Sequence, residues 1–282
     1  GRVSFNFDIF GNLWEQVAKF RAARRLWAKL MRDEFGAKNP DTMQMKMIAG
    51  GGGGGLTIEE PENNIVRGAY YALISALSGA QTMALCCYDE AYTIPSEKAS
   101  LISLRTMQIL ADEMGLSDTV DPLAGSYYIE WLTNEMETRI VAEMKRVDTE
   151  MGGVVNGVSK GLVQAEVARQ ALIYEKKIQS GEMVKVGVNK YRVEGQVSSD
   201  DVELHEYKPE ATEEQLRRLA QVKAERDASA VQVALKRVRD DAQSGVNIMP
   251  AMLQAVRGYA TVGEITGVLK EVFGEFKEPV RW

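Results

Sequence analysis

The sequence predicts an α/β fold in its first part and a mostly helical region after it. Over residues 1–115, three short apolar runs alternate with three stretches of helical spacing, a pattern that indicates βα units with parallel strands. Helical spacing dominates residues 116–282. Three strands cannot close a barrel, so we expect these strands to be part of a larger sheet. Residues 1–115 and 116–282 are accordingly the two predicted domains.

Each predicted unit of the first domain is a strand followed by a helix. The apolar residues of the first helix recur at helical intervals, and Pro95-Ser96-Glu97 is a typical start signal for the third helix. The predicted elements are the strand 2–10 and helix 14–35, the strand 43–48 and helix 63–78, and the strand 81–87 and helix 96–114.

The predicted second domain begins with a turn-rich segment over residues 118–130. A strand-like piece, Val184–Tyr191, interrupts the helices that follow, and a polar linker comes after it. The predicted helices cover about 131–151, 158–180, 212–244, 248–259 and 261–273. Because this region shows no catalytic constellation, we interpret it as a scaffold or subunit interface.

Six consecutive glycines, Gly50–Gly55, separate the second predicted strand from its helix. Glycine loses much conformational freedom on folding and adds no side chain to a core, so such a run needs a reason. Three interpretations remain open: a flexible linker, a backbone cradle for phosphate, or a place where missing side chains leave room for a ligand. The run lacks the Lys-Ser/Thr ending of a P-loop, which makes the phosphate signal weak.

Composition excludes several function classes. The 282-residue chain has a formal net charge of −6, so no basic field favours nucleic acid or an anionic membrane surface. No apolar stretch reaches the ~18 residues of a membrane span. The only two cysteines, Cys86 and Cys87, are adjacent and unsuited to an ordinary disulfide, which indicates a reducing, cytoplasmic location. The single histidine, His205, excludes multi-histidine metal sites, and we expect it on the surface.

Residues 2–10 already read as a strand inside a domain. We therefore expect the remainder of the sheet to come from sequence upstream of Gly1 or from a partner chain.

Several motifs, taken together and in this order, resemble the large, coenzyme A-binding subunit of methylmalonyl-CoA mutase and related adenosylcobalamin-dependent acyl-CoA mutases. They are Lys19–Lys29, Tyr88-Asp89-Glu90-Ala91, Asp118–Tyr128, Glu150–Gly153, Val186–Lys190 and Ala260–Ile265. The resemblance covers nearly the whole chain and corresponds to the C-terminal half of the family's large subunit. It implies that residues 1–115 are the last three βα units of a (β/α)8 TIM barrel and that residues 116–282 are the helical region after it.

The resemblance also implies ligands and partners. Coenzyme A would run along the barrel axis towards adenosylcobalamin at the carboxyl ends of the strands. A small cobalamin-binding subunit or another domain would supply the cobalt ligand, so no metal ligand is expected on this chain. By this resemblance, Arg2, Ser4, Lys46 and Gln81 correspond to positions that face coenzyme A. Ordinary solvated strand ends remain the alternative for the two cations.

Glu90 corresponds to the carboxylate that accepts hydrogen bonds from the ribose of the adenosyl group, a task that suits an acceptor-only side chain. The chain departs from the family around this site. Ile48 and Gly50 stand where relatives have His and Gln, and Cys86 stands where they have Asn. We expect Ile48 and Gly50 to shape the pocket, and Cys86, Gly50 and Gly51 to lie against the cofactor.

Two functions from different classes follow. The first is an adenosylcobalamin-dependent isomerase that rearranges the carbon skeleton of a branched acyl-CoA, with an altered loop that favours a different or bulkier substrate than methylmalonyl-CoA. The alternative is a non-catalytic structural subunit of a heteromeric methylmalonyl-CoA mutase. A third, weaker interpretation is an unrelated barrel enzyme that binds phosphate at the glycine run.

Overall fold

The computed structural model describes residues 2–193, 204–205 and 207–279. These residues form two units, the first ending at His205, and each is described by itself. The elements of the first unit are β1 (Phe5–Ile9), α1 (Leu13–Asp33), α2 (Pro40–Met43), β2 (Met47–Gly51), α3 (Asn63–Leu77), β3 (Thr82–Leu85), α4 (Glu97–Asp112), α5 (Tyr127–Glu150), α6 (Val154–Ser159) and α7 (Leu162–Gln179). The second contains α8 (Pro209–Glu225), α9 (Ala228–Gln243), α10 (Met249–Arg257) and α11 (Val262–Phe273).

The sheet of the first unit is parallel, with strand order β1-β2-β3. Phe5 pairs with Met47, and Ile48 pairs with Thr82. Alternate residues therefore share a face: one face is buried against α1 and α3 in a core around Ile9 and Phe20. This parallel sheet and the largely helical remainder confirm the predicted α/β class.

The opposite face of the sheet carries small and polar residues and is more exposed. Its members, from the three strands in turn, are Asn6, Asp8, Ile48, Gly50, Thr82 and Ala84. Because the helices cover only the other face, this face and the loops at the carboxyl ends of the strands frame any site that the sheet can offer.

The second strand was predicted too early. A predicted strand over 43–48 is wrong because Asn39 caps a short helix, α2, with Pro40 at its first position. Strand β2 instead includes Gly50 and Gly51, which pair with Asp8 and Ile9 on one side and Ala84 and Leu85 on the other. Pairing on both sides thus overrides the low strand propensity of glycine. The tract continues as a single 3₁₀ turn over Gly53–Gly55.

Three further boundaries differ from the prediction. The predicted helix over 158–180 corresponds to α7, which begins only at Leu162 because Gly161 adopts a left-handed conformation, and the short helix α6 before it was not predicted. The predicted helix over 212–244 is two helices, α8 and α9. It breaks where the Asp227 side chain accepts hydrogen bonds from the backbone N–H groups of Ser229 and Ala230. Helix α5 starts at Tyr127, inside the segment predicted as irregular.

The predicted strand-like piece Val184–Tyr191 is a turn with one isolated bridge between Val186 and Lys190. The Asn189 amide closes it: Oδ1 accepts from the Lys185 N–H at 2.7 Å, and Nδ2 donates to the carbonyls of Ile178 and Met183. Side-chain bonds to the backbone here replace a strand ladder. Much of the predicted polar linker after it lies outside the described residues.

Helix α5 packs along α1 with several ion pairs between partly buried or exposed side chains. Arg21 donates to Asp121, Glu130 and Thr133, while Glu137 accepts from Arg25 and Lys29. The Arg21 bonds hold the pKa of Glu130 below its usual range. Arg21, Arg25 and Lys29 of the first helix are thus used in helix packing.

The second unit has its own small core, formed by α9, α10 and α11 around Val231, Val238 and Ile265. Thr261 and Glu264 form a capping box at the start of α11, and Glu264 also accepts from Arg226. These bonds lower the pKa of Glu264 to about 2.

Candidate functional site

A cleft of about 530 Å³ opens on the exposed face of the sheet, where the strands reach their carboxyl ends. It is lined by Asn6, Phe7, Asp8, Ile48, Gly50, Ala84, Leu85, Cys86 and Glu90. The structure therefore brings together four residues that the sequence singled out on two separate segments: Ile48, Gly50, Cys86 and Glu90. Gly51, also predicted here, is buried and faces Leu85 instead.

The glycine tract is needed for close packing at three of its six positions. A Cβ atom on Gly51 would lie 2.7 Å from Leu85 Cδ1, on Gly52 2.4 Å from the Ile9 carbonyl oxygen, and on Gly55 2.2 Å from the Tyr71 hydroxyl. Protein atoms already fill the space at these positions. The tract is therefore neither a free linker nor, along its whole length, an opening.

The other three glycines face space or ordinary contacts. A Cβ atom on Gly50 would come no closer than 3.5 Å to the Phe7 carbonyl oxygen, and on Gly53 or Gly54 no closer than 3.8 Å to any atom of a neighbouring element. Only Gly50, Gly53 and Gly54 leave room, and Gly50 lines the cleft.

Glu90 is exposed to the cleft, and a backbone hydrogen bond orients its carboxylate. Its Oε1 accepts from the Cys87 backbone N–H at 2.8 Å. Cys86 lines the cleft together with Glu90. Burial, reinforced by the carboxylates of Glu90 and Asp8, raises the pKa of the Cys86 thiol to about 12. The Cys86 thiol is therefore neutral at physiological pH. Glu90 keeps acceptor capacity for a ligand because a carboxylate offers about four lone-pair sites.

Buried Asn64 on α3 ties together the two loops that frame the cleft. It accepts from the Thr57 N–H at 3.1 Å and donates to the carbonyls of Thr57 and Tyr88 at 2.8 and 3.0 Å. Thr57 follows the glycine tract, and Tyr88 comes two residues before Glu90. Arg67 extends the network to Thr57 Oγ1 and to the Val186 carbonyl. The loop that carries Glu90 is thus fixed relative to the glycine tract.

The residues predicted to face coenzyme A lie at the opposite, amino ends of the strands. Arg2, Ser4 and Lys46 are exposed, and neither cation forms a salt bridge with a described residue. Lys46 lines a second cavity of about 250 Å³, separate from the cleft. Gln81 is engaged in the sheet, since its amide accepts from the Met47 N–H and donates to the Met45 carbonyl.

Other features of the described residues bear on the type of site. No group of three or more His, Cys, Asp and Glu side chains within residues 2–193, 204–205 and 207–279 could hold a metal ion. None of the helices in the same ranges has the length and hydropathy needed to cross a bilayer. His205 is exposed, as predicted, and its N–H donates to Thr93 Oγ1.

Sequence reasoning missed three residues of this region: Asn6 and Asp8 in the cleft, and Asn64 behind it. The alternation of polar and apolar residues in β1 placed Asn6 and Asp8 on the same face as Ser4 and could have found both. No local pattern marks Asn64, because its partners come from loops that meet only in the fold.

Comparison with known proteins gives a consistent match. The methylmalonyl-CoA mutase family model matches residues 1–275. The 2-hydroxyisobutanoyl-CoA mutase large subunit of Aquincola tertiaricarbonis is 38% identical over 281 residues, which are 98% of this chain and 49% of that protein. The methylmalonyl-CoA mutase of Cereibacter sphaeroides is 37% identical over 282 residues, 100% of this chain and 39% of the relative. The human mitochondrial methylmalonyl-CoA mutase is 34% identical, with 98% and 36% covered.

The chain spans about half or less of the length of these relatives. Within that span the match is nearly complete, and it includes the sheet, the glycine tract and Glu90. The chain belongs to the methylmalonyl-CoA mutase family.

Proposed function

We propose that the chain is the C-terminal half of an acyl-CoA mutase large subunit. In this proposal residues 1–115 provide the last three βα units of a (β/α)8 barrel, and residues 116–282 form the helical region after it. Family membership and the small, polar, exposed face of the parallel sheet support this arrangement, since that face would line a barrel interior. The remaining strands would come from upstream sequence or a partner chain.

Adenosylcobalamin fits the residues at the carboxyl ends of the strands. Glu90, held by the Cys87 backbone N–H, would accept hydrogen bonds from the ribose hydroxyls, and the neutral thiol of Cys86 would lie against the cofactor. The cofactor would supply the radical chemistry of the rearrangement, for which protein side chains are unsuited. The residues of this chain would orient the ligands and exclude water. A small cobalamin-binding subunit would supply the cobalt ligand.

Coenzyme A would approach from the amino ends of the strands. Lys46 and Gly50 are four residues apart along the chain, which corresponds to about 13 Å in an extended strand. This separation suits a long ligand whose phosphates meet Arg2 and Lys46 while its acyl group reaches Ile48 and Gly50. Ser4 would contribute a hydroxyl on the way, whereas the engaged amide of Gln81 would act mainly through the strand that it supports.

The altered loop would favour a substrate that differs from methylmalonyl-CoA or is bulkier. Ile48, 40% exposed on the cleft face, makes the wall more apolar than the His of relatives, and Gly50, Gly53 and Gly54 leave space. We also assign the protein to the cytoplasm, since both Cys86 and Cys87 are free thiols.

The orientation of Glu90 carries this proposal, and its substitution tests it. In the protein assembled with its small subunit, Glu90→Gln keeps the size of the side chain but removes its charge. We expect adenosylcobalamin to bind ~10–100-fold more weakly, the usual contribution of hydrogen bonds to a charged acceptor. Glu97→Gln, on the exposed start of α4, is the matched control and should leave binding unchanged.

Turnover of a panel of branched acyl-CoAs completes the test. Isomerisation of at least one substrate, lost or strongly reduced with Glu90→Gln, is the expected result. Absence of both cofactor binding and turnover in the wild-type assembly would contradict the proposal and favour the non-catalytic structural subunit.

A further inference from the structure

Asp8 is the feature of the cleft that neither the family resemblance nor the sequence motifs explain. It lies on the exposed face of β1, opposite Gly50 in the register of β2. Its side chain lines the same cleft as Ile48, Cys86 and Glu90. The cleft therefore has a carboxylate beside each outer strand: Asp8 lies near the end of β1, and Glu90 follows β3.

The glycine tract packs against the Asp8 carboxylate. A Cβ atom on Gly50 would lie 3.9 Å from Asp8 Oδ1, on Gly52 3.0 Å from Oδ1, and on Gly54 3.8 Å from Oδ2. Three alternate glycines thus surround one carboxylate. Asp8 Oδ1 also accepts from the Ile9 N–H at 3.0 Å, which fixes its direction.

The charged groups around Asp8 do not neutralise the cleft. Lys19 is a cation beside Asp8, but its ammonium group donates to the Asp8 backbone carbonyl and to Gln16 and lies over the ring of Phe20. Burial lowers the pKa of Lys19, although the attraction of Asp8 opposes this effect. None of the nine residues that line the cleft is a cation, and two are carboxylates.

We propose that Asp8 determines acyl-group specificity at this site: its carboxylate disfavours acyl groups that carry a free carboxylate and favours neutral ones, above all those with a hydroxyl that can donate to it. This inference rests on the proposed acyl-CoA function. The physical basis is that like charges a few ångströms apart repel, whereas an acceptor-only carboxylate gains from a hydroxyl donor. The glycine tract would then serve to admit Asp8 into the cleft.

The experiment compares three acyl-CoAs of similar size in the assembled protein: methylmalonyl-CoA, which is anionic, isobutanoyl-CoA, which is neutral, and 2-hydroxyisobutanoyl-CoA, which carries a hydroxyl. The wild type and Asp8→Asn are compared by both kcat/KM and the equilibrium Kd of each acyl-CoA. Asp112→Asn, at the end of α4, is the control for loss of one carboxylate elsewhere.

We expect Asp8→Asn to shift the preference towards methylmalonyl-CoA over isobutanoyl-CoA by about tenfold, the size expected for one like charge in a partly solvated site. Asp112→Asn should not shift it. An Asp8→Asn preference within twofold of the wild type, in both kcat/KM and Kd, would overturn the inference. If the wild type turns over no acyl-CoA but its Kd values show the Asp8-dependent discrimination, the proposed catalysis fails and the specificity role of Asp8 stands.

Discussion

The two ends of the sheet differ in how their predicted site residues are held. At the carboxyl ends, the fold itself fixes the side chains: Cys87 orients Glu90, the glycines seat Asp8, and Asn64 ties the loops together. At the amino ends, Arg2 and Lys46 are exposed and form no salt bridge with described residues. An end that is organised before binding suits a site of precise geometry, whereas exposed cations suit a long flexible anion.

The largest effect at the carboxyl ends of the strands is expected from Gly52→Ala. Its Cβ atom would lie 2.4 Å from the Ile9 carbonyl oxygen, a backbone atom that cannot move without shifting β1. We expect a loss of about 3 kcal/mol in the free energy of unfolding, measured by urea denaturation.

Gly54→Ala, in the same tract, is the matched control for Gly52→Ala. Its Cβ atom would meet only ordinary contacts, so it should leave stability unchanged or raise it by about 0.5 kcal/mol. Equal losses of unfolding free energy for the two substitutions would contradict the close packing described for Gly52.

Asn64→Ala should have the next largest effect. It removes the partners of the Thr57 N–H and of the Thr57 and Tyr88 carbonyls in a buried region, which we expect to cost about 2 kcal/mol in unfolding free energy. Faster amide hydrogen exchange at residues 57 and 88–90 should accompany it. Asn63→Ala should cost less than half as much, because within the described residues the Asn63 side chain bonds to Glu60 alone. Unchanged exchange in Asn64→Ala would argue against its role as the tie between the loops.

Substitutions at the amino ends of the strands should weaken ligand binding and leave the free energy of unfolding nearly unchanged. For Lys46→Ala we expect about tenfold weaker acyl-CoA binding by titration calorimetry, because one charge at a phosphate is lost. Its unfolding free energy should stay within about 0.5 kcal/mol of the wild type, as for other exposed side chains. Lys98→Ala, on exposed α4, controls for net charge. A stability loss above this range would place Lys46 in the organised group instead.

The last test concerns the pH dependence of stability. The pKa of the Cys86 thiol is raised from about 9 to about 12, so the folded state retains a proton that the unfolded state releases. Its stabilising contribution is complete below pH 9 and is lost as the pH rises towards 12. Between pH 8 and 10.5, the unfolding free energy should therefore fall more steeply in the wild type than in Cys86→Ser. Parallel curves would contradict this. Cys87, unchanged in both proteins, cancels in the comparison.

The sequence predicted most of this architecture where local signals agree with the fold. Helix α1 was located by its spacing and is capped by Asn12, and Ser96 caps α4 as its start signal indicated. Strand β2 was misplaced because glycines were interpreted as loop, although strands on both sides hold Gly50 and Gly51 in the sheet. Strand pairing on both sides there outweighs the low strand propensity of glycine.

The candidate site was predictable only in part, for a similar reason. Cys86 stands two residues before the short motif that contains Glu90, and the relation of both residues to Ile48 and Gly50 follows from neighbouring parallel strands. The purpose of the glycine tract depends on contacts with Ile9, Tyr71 and Leu85, which are far from it in sequence or on other elements. Such contacts leave no local pattern.

The outer strands of the sheet have a practical consequence for handling this protein. Within the described residues, β1 and β3 each pair on one side only, with β2. An unpaired strand edge is a template for strand addition by another chain. Backbone groups at these two edges can form hydrogen bonds with another chain. Concentrated samples of this chain alone should therefore self-associate through the edges of β1 and β3. Co-expression with the polypeptide that covers both edges should keep the protein in solution.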